Sequence, residues 1–312
     1  RQTFNNPRRG LYDGVCLLIQ WSPNTLGSRG LAMSRYDFME HDPFAPIVYT
    51  YKNTALLHKE TSEYQDIQVR QHPYFGRMLI LDDVVQLTER DEFFYHEMLV
   101  HPVLHAHPDP KHVLVIGGGD GGSVREVLRH KGIESVTLAE IDSRVVAVTK
   151  EYFPTLRSGF EDPRTAVVYE DGTKHVQTPP KSYDAIIVDS TDPVGPAENL
   201  FTESFYKAAD NALTHNGFFV TQSESLMFHT EFVSEVHNRL QSVFKIADCY
   251  TQALATYAGN WWTFSVGSKK LDPRAPRRRP RLSNRYYSAE VHRQAFLART
   301  ILKKLATGSI DW

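Results

Sequence analysis

The sequence predicts an α/β protein, a mostly parallel sheet with helices on both faces, preceded by a small antiparallel β-domain. Three observations lead there. Between residues 112 and 221, short apolar runs alternate with helical stretches, the pattern of strands buried on both sides. Before them, from Tyr49 to Glu89, strand-like segments are separated by turn residues. Where the first apolar run meets the next helix stands the loop Gly117-Gly118-Gly119-Asp120-Gly121-Gly122, at the kind of junction where α/β proteins bind ligands.

The whole chain sets the bounds. Its 312 residues suit one large α/β unit with a smaller appendage. Hydrophobic residues make up 41% and charged residues 23%, enough apolar material for a full core. The formal net charge of −2 gives no global field toward nucleic acid or an anionic membrane, so neither is expected as a partner. Two distant cysteines, Cys16 and Cys249, make neither a disulfide framework nor a cysteine-rich zinc site, and fit a reducing compartment. Val15–Ile19 is too short for a signal-peptide core and follows Asp13. No apolar run approaches the roughly 20 residues that span a bilayer. A cytoplasmic protein is expected.

Residues 1–45 are polar and turn-rich (Asn5-Asn6-Pro7, Ser22-Pro23-Asn24, Asp42-Pro43) and read as an N-terminal extension. Residues 46–92 read as the small β-domain. Within it Tyr64–Val69 and Arg77–Leu81 alternate or run apolar, punctuated by His72-Pro73 and Gly76, and Asp82-Asp83 turns the chain into Val84–Thr88. Residues 93–312 read as the α/β domain. It opens on a linking helix, Phe93–His105, closed by Pro108 and Pro110. Strands are expected at His112–Ile116, Val136–Ala139, Ala166–Tyr169, Ala185–Val188 and Phe218–Thr221. Helices are expected at Ser123–His130, Arg144–Tyr152, Glu203–Leu213 and Glu231–Phe244. Ile246–Tyr250 and Trp262–Val266 follow with no helix between them, as an antiparallel edge would. Arg274–Arg281 is a short basic run in a chain that is not basic, and reads as a solvated connector.

The glycine loop carries the strongest chemical signal. Glycines let backbone approach a ligand closely, and a helix N-terminus presents unpaired N–H groups. The next strand ends in Glu140-Ile141-Asp142, which puts a carboxylate about twenty residues past the loop, where an acid meets ribose hydroxyls. The third strand ends in Glu170-Asp171-Gly172, a place to accept from an adenine amino group. One such acid alone is as well explained as a helix cap; three at the ends of consecutive strands describe a nucleoside site. A dinucleotide fits poorly, because Asp120 would face an anionic pyrophosphate. A sulfonium carrying an amine suits Asp120 better.

The fourth strand ends in Asp189-Ser190-Thr191-Asp192-Pro193, followed by Gly195-Pro196. Asp189 and Asp192 at the same sheet edge as Asp120 would be costly without cations between them. Tyr95, Gln222, Glu224 and Tyr257 supply aromatic walls and polar ends for an elongated diamine. His96-Glu97 followed by His101 misses the zinc-protease spacing by one residue, so no metal site is expected.

Read in order, Tyr64-Gln65-Asp66, Thr88–Glu92, Tyr95-His96-Glu97-Met98, the glycine–aspartate loop, Glu140-Ile141-Asp142, Asp189–Pro196, Gln222–Ser225 and Thr256-Tyr257 closely resemble spermidine synthases. The resemblance covers roughly residues 50–270, with Arg285-Tyr286-Tyr287 and Val291-His292 matching the family's C-terminal end. It implies a methyltransferase-like Rossmann domain with a mostly parallel seven-stranded sheet, and a homodimer or homotetramer. The implied reaction moves an aminopropyl group from decarboxylated S-adenosylmethionine, a co-substrate rather than a cofactor, to putrescine or a similar diamine. Carried over by position, Gln65, Asp120, Glu140, Asp171, Gly172 and Pro196 are implied on the donor side. Tyr95, His96, Asp120, Asp189, Asp192, Gln222 and Tyr257 are implied contacts of the amine, and Asp189 is the implied proton acceptor. Two positions depart from the family. Its Pro-Thr-Tyr-Pro-Ser-Gly segment reads Ala255-Thr256-Tyr257-Ala258-Gly259-Asn260, beside the acceptor pocket, and Asp83 stands where the hairpin turn often has glycine. Cadaverine, agmatine and spermidine stay open as acceptors. The rival on the same fold is a methyltransferase, whose intact donor would bring a carboxylate against Asp120 and Asp189.

Overall fold

The computed structural model describes residues 35–42, 45–278 and 283–310. Most of the extension read over 1–45, with Cys16, lies outside these residues, as do Arg279, Pro280 and Arg281 of the basic connector. Five strands, β1 (Arg35–His41), β2 (Val48–Thr61), β3 (Asp66–His72), β4 (Gly76–Leu81) and β5 (Val84–Thr88), pair in chain order as an antiparallel sheet. The small sheet therefore starts at Arg35 rather than at residue 46. Of the inward-facing residues of β1, Phe38 is apolar but Glu40 is charged, so the period-2 signal is missing from the sequence. Between β4 and β5, Leu81 pairs with Val84 and leaves Asp82-Asp83 as a two-residue turn with φ of 48° and 62°. That is a type I′ hairpin, in which aspartate replaces the usual glycine.

Helix α1 (Glu92–Ala106) leads from one sheet to the other and is buried along nearly its whole length. After it come β6 (His112–Gly117), α2 (Gly122–Leu128), β7 (Ser135–Glu140), α3 (Ser143–Tyr152), α4 (Pro154–Glu161), β8 (Thr165–Tyr169), α5 (Gly172–Gln177) and β9 (Tyr183–Asp189). A 3-10 turn (Gly195–Phe201) then precedes α6 (Glu203–Ala212), β10 (Leu213–Ser225), α7 (Thr230–Val243), β11 (Ile246–Ala253), β12 (Trp261–Ser268), α8 (Ala289–Ala295) and α9 (Arg299–Ala306). The second sheet has seven strands in the order β11-β12-β10-β9-β6-β7-β8, and β12 alone runs against the rest. On β6, Val113 and Val115 enter the core under α1 and α2, while Leu114 and Ile116 enter the one under α6 and α7. This two-sided burial is what the continuous apolar runs signalled.

From β6 the chain steps one way to β7 and β8, then returns to β9 and β10 on the other side. Such a reversal opens a crevice at the carboxyl ends of β6 and β9. The paired residues there are Gly117 and Asp189. No helix among the described residues is long and apolar enough to cross a membrane.

Candidate active site

One large cleft runs over the crevice, floored by the second sheet and roofed by residues of β4, β5 and the loops beside them. Its first half is shaped by backbone. Gly117 and Gly118 have φ of 71° and 70°, and a Cβ on Gly117 would overlap the Asp189 carbonyl, so the close approach of loop and strand requires glycine. Glu140 ends β7 and is buried; its oxygens accept from Gly119 N at 3.0 Å and Asp142 N at 2.9 Å. Burial, helped by the charge of Asp142, pushes its carboxyl up to about 7. Asp171 caps α5 by accepting from Thr173 N at 2.8 Å, and Gly172 lies so close to Ile116 that no side chain would fit. Gln65 reaches the same end of the cleft and donates to Asp142 Oδ2 at 2.9 Å. Pro196, in the 3-10 turn, stands on the rim.

The middle of the cleft holds two carboxylates. Tyr95 Oη donates to Asp189 Oδ1 at 2.8 Å, and Asp189 Oδ2 is buried with no hydrogen-bond partner among the described residues. Asp120 Oδ1 accepts from Gly122 N at 2.7 Å, and His96 Nε2 stands 3.4 Å from Asp120 Oδ2. Ligating atoms of His96, Asp120 and Asp189 all fall within 4.8 Å of one another. Burial first, then the charge of Asp120, pushes the Asp189 carboxyl up to about 6. Burial would raise Asp120 too, but the attraction of His96 outweighs it and holds that carboxyl below its usual range. Two neighbouring acids are thus driven apart, the condition under which one stays ionised while the other exchanges a proton. Tyr257 meets Tyr95 edge-on, ring centroids 5.5 Å apart, and walls the cleft.

The far end is acidic. Asp192 lies with Glu224, Glu40 and Asp42, and burial followed by the charge of Glu224 raises its carboxyl well above the ordinary range. Glu40 accepts from Val85 N at 3.0 Å and from Tyr51 Oη at 3.2 Å, and burial pushes it up to about 7. Glu224 sits where the register of β10 shifts, at φ 67°, a costly conformation for a non-glycine residue and one that aims its side chain into the cleft. Gln222 donates to the Ser190 and Thr191 carbonyls at 3.4 Å each, tying β10 to the loop that carries Asp189 and Asp192.

The residues selected from the sequence therefore share one cleft, with a single exception. His96 does not line it; the ring is 1% exposed and packs behind Asp120 on Gly122. Glu40 and Asp42 went unselected because they stand in the segment read as an extension, where Asp42-Pro43 looks like any turn. Trp262 was read only as part of a strand. His101 belongs elsewhere, on α1 with His105 and facing His130 just past α2: Arg278 donates to His130 Nδ1 at 3.1 Å, and His130 Nε2 meets His101 Nδ1 at 3.0 Å.

A family model described as the spermine/spermidine synthase domain matches residues 92–276, and one described as the spermidine synthase tetramerisation domain matches residues 37–89. The chain belongs to the spermine/spermidine synthase family. Among family members, polyamine aminopropyltransferase 1 of Aquifex aeolicus is 51% identical over 275 residues, spanning 88% of this chain and 98% of that protein. The polyamine aminopropyltransferase of Bacillus subtilis is 42% identical over 250 residues, spanning 80% of this chain and 91% of that protein. A spermidine synthase crystallised with the transition-state analogue AdoDATO superposes with a TM-score of 0.83 at 33% identity, covering 90% of this chain and 98% of the other. The spermidine synthase of Thermotoga maritima gives 0.81 at 31% identity, covering 91% and 99%. The tetramerisation-domain match falls on the small sheet.

Proposed function

We propose that this chain transfers the aminopropyl group of decarboxylated S-adenosylmethionine to one amine of putrescine or a similar diamine, giving spermidine and 5′-methylthioadenosine. The observation that carries the reading is the Asp120–Asp189 pair, standing between a nucleoside-shaped half and an acidic end. Glu140 takes the ribose hydroxyls, with Gln65 steadying Asp142 beside it. Asp171 and Gly172 receive the adenine, and Pro196 closes over it. Asp120 holds the charged end of the donor's propyl arm. Asp192 and Gln222, with Glu40 and Glu224, hold the distal ammonium of the acceptor.

The acceptor amine is an ammonium in water, with a pKa near 10.4. It gives one proton to Asp189, and its lone pair attacks the propyl carbon bonded to sulfur. The carbon–sulfur bond breaks, the electron pair stays on sulfur, and the sulfonium becomes a neutral thioether. A carboxyl near 6 is a better acceptor for that proton than an ordinary aspartate near 3.9. The approaching sulfonium and the Tyr95 and Tyr257 walls favour the neutral amine. Alignment in the cleft supplies much of the remaining acceleration. No resident metal or cofactor enters this scheme.

We place the enzyme in the cytoplasm as a homodimer or homotetramer joined through the small sheet, where Tyr36, Met39, Val48 and Leu56 are exposed apolar side chains. Turnover of decarboxylated against intact S-adenosylmethionine, with putrescine, cadaverine, agmatine and spermidine as acceptors, tests the reaction. Aminopropyl transfer with the decarboxylated donor alone is expected; methyl transfer from the intact donor would overturn the reading.

A further inference from the structure

Glu92 and Arg125 lie outside the cleft, and the reaction as written does not use them. Both are bound into a buried chain that ends on the reacting carboxylates. Arg125 of α2 donates from Nη1 and Nη2 to the two Glu92 oxygens at 2.9 and 2.8 Å. Its Nε donates to Glu126 at 2.8 Å, which fixes the guanidinium plane. Glu92, in the first turn of α1, is 8% exposed, and its Oε2 stands 2.8 Å from His96 Nδ1 one turn later. His96 Nε2 in turn faces Asp120 Oδ2. The ring is thus clasped between two carboxylates, with Tyr95 edge-on at 5.2 Å, Asp189 close by and the Gly122 backbone against its flank. A neutral imidazole has one N–H and would turn a lone pair toward one of those anions; only the imidazolium presents an N–H toward both, in a hydrogen bond with Glu92 and, at 3.4 Å, an ion pair with Asp120.

We propose that Glu92, held in place by Arg125, is a positioning residue that keeps His96 protonated and thereby fixes Asp120 as the permanent anion and Asp189 as the carboxyl that exchanges a proton. The proposal rests on the reading of Asp189 as proton acceptor and adds what selects it over Asp120. Burial works against a charged His96, but Asp120 and Glu92 together outweigh it and hold its pKa well above the usual range. His96 in turn lowers Asp120 through both charge and hydrogen bonding and Asp189 through charge alone, so it acts on the two acids differently.

Nitrogen-15 NMR of histidine-labelled wild-type protein, with His96 assigned by its loss in His96→Gln, reads the ring directly and needs no substrate. The imidazolium is expected to persist well above the pH at which an ordinary histidine loses its proton; a neutral His96 at pH 7 would overturn the proposal whatever the reaction is. In Glu92→Gln the ring should lose its proton at a lower pH than in the wild type, because one of its two anionic partners is gone. Asp189 then loses the nearby positive charge, its pKa rises, and the acidic limb of the pH profile of kcat/KM moves up by at least about half a pH unit. Glu92→Asp, which restores the charge, should bring the limb back even if kcat stays low. A Glu92→Gln enzyme that loses activity or thermal stability with the limb unmoved makes Glu92 a packing residue. Should that variant not fold, the wild-type spectrum still decides.

Discussion

Asp120 and Asp189 are the same residue type a few ångströms apart, and everything that separates their roles comes from what each touches. Asp189 accepts from Tyr95 and keeps a buried oxygen with no hydrogen-bond partner among the described residues; Asp120 has a backbone N–H and an imidazole. Asp189→Asn keeps the shape and the Tyr95 contact but removes the proton acceptor. We expect kcat to fall by about 10²–10⁴, the range for a positioned acid–base group, while calorimetry still finds donor binding. A variant with more than roughly a tenth of wild-type kcat would take Asp189 out of that role. Both aspartates were legible in the sequence because Asp189 ends β9 and Asp120 stands just past β6, where a chain of this class presents its side chains to ligand. His96 was not legible as what it is. One residue from Tyr95 on the same helix, it differs from a cleft residue only in the direction its side chain takes, which spacing along a single helix does not give.

Helix α1 shows how an element can break a local rule and stand because another supplies the missing group. Pro102 sits inside it and has no N–H for the Met98 carbonyl one turn earlier, which in a buried helix would be left unpaired. Tyr250 Oη of β11 donates to that carbonyl at 2.9 Å. Tyr250→Phe should therefore cost about 1–3 kcal/mol, the penalty for a buried unsatisfied polar group, as a lower midpoint in urea with an unchanged slope. A midpoint within about 0.3 kcal/mol of wild type would mean that the helix relaxes without the bond. The linking helix was legible from its apolar length, and its tyrosine partner, about 150 positions later, was not. The same limit explains β1. Phe38 and Glu40 face inward on a strand whose partner β2 lies across a turn, and an inward glutamate cancels the alternation that exposed β3, β4 and β5. By contrast β6, β7 and β9 were read close to their observed places, and the middle of β10 was found though its two ends were missed, since strands buried on both faces need no alternation to be visible. The short helices α4 and α5 went unread because six to eight residues carry too little period to stand out.

At the scale of the whole molecule, a net charge of −2 hides a strong local field. The cleft collects Glu40 from the small sheet, Asp120 and Glu140 from the glycine loop and β7, and Asp189, Asp192 and Glu224 from the far strands. No window of sequence shows that density, because the acids converge only when the two sheets close over each other. Its consequence is a pH dependence of stability with a definite sign. Glu40 and Glu140 are raised from 4.5 to about 7, mainly by burial. A group whose folded pKa is raised contributes stability below its unfolded pKa, and that contribution is lost as pH rises through the folded value. Each of these two carboxyls therefore favours folding below about 4.5 and, once ionised near pH 8, has given up roughly 3 kcal/mol before relaxation. A diamine whose distal ammonium lies at the acidic end counters that loss at Glu40, though not at Glu140 in the nucleoside half, and only where the carboxylate is charged. Thermal unfolding with and without saturating putrescine should show a ligand-induced rise in Tm that is small near pH 5.5 and grows through pH 7 to 8, while the amine itself stays protonated throughout. A neutral diol of the same length should give no such growth. If putrescine raised Tm equally at pH 5.5 and 8, the acidic end would be binding it through uncharged hydrogen bonds, and the electrostatic account of the cleft would be wrong.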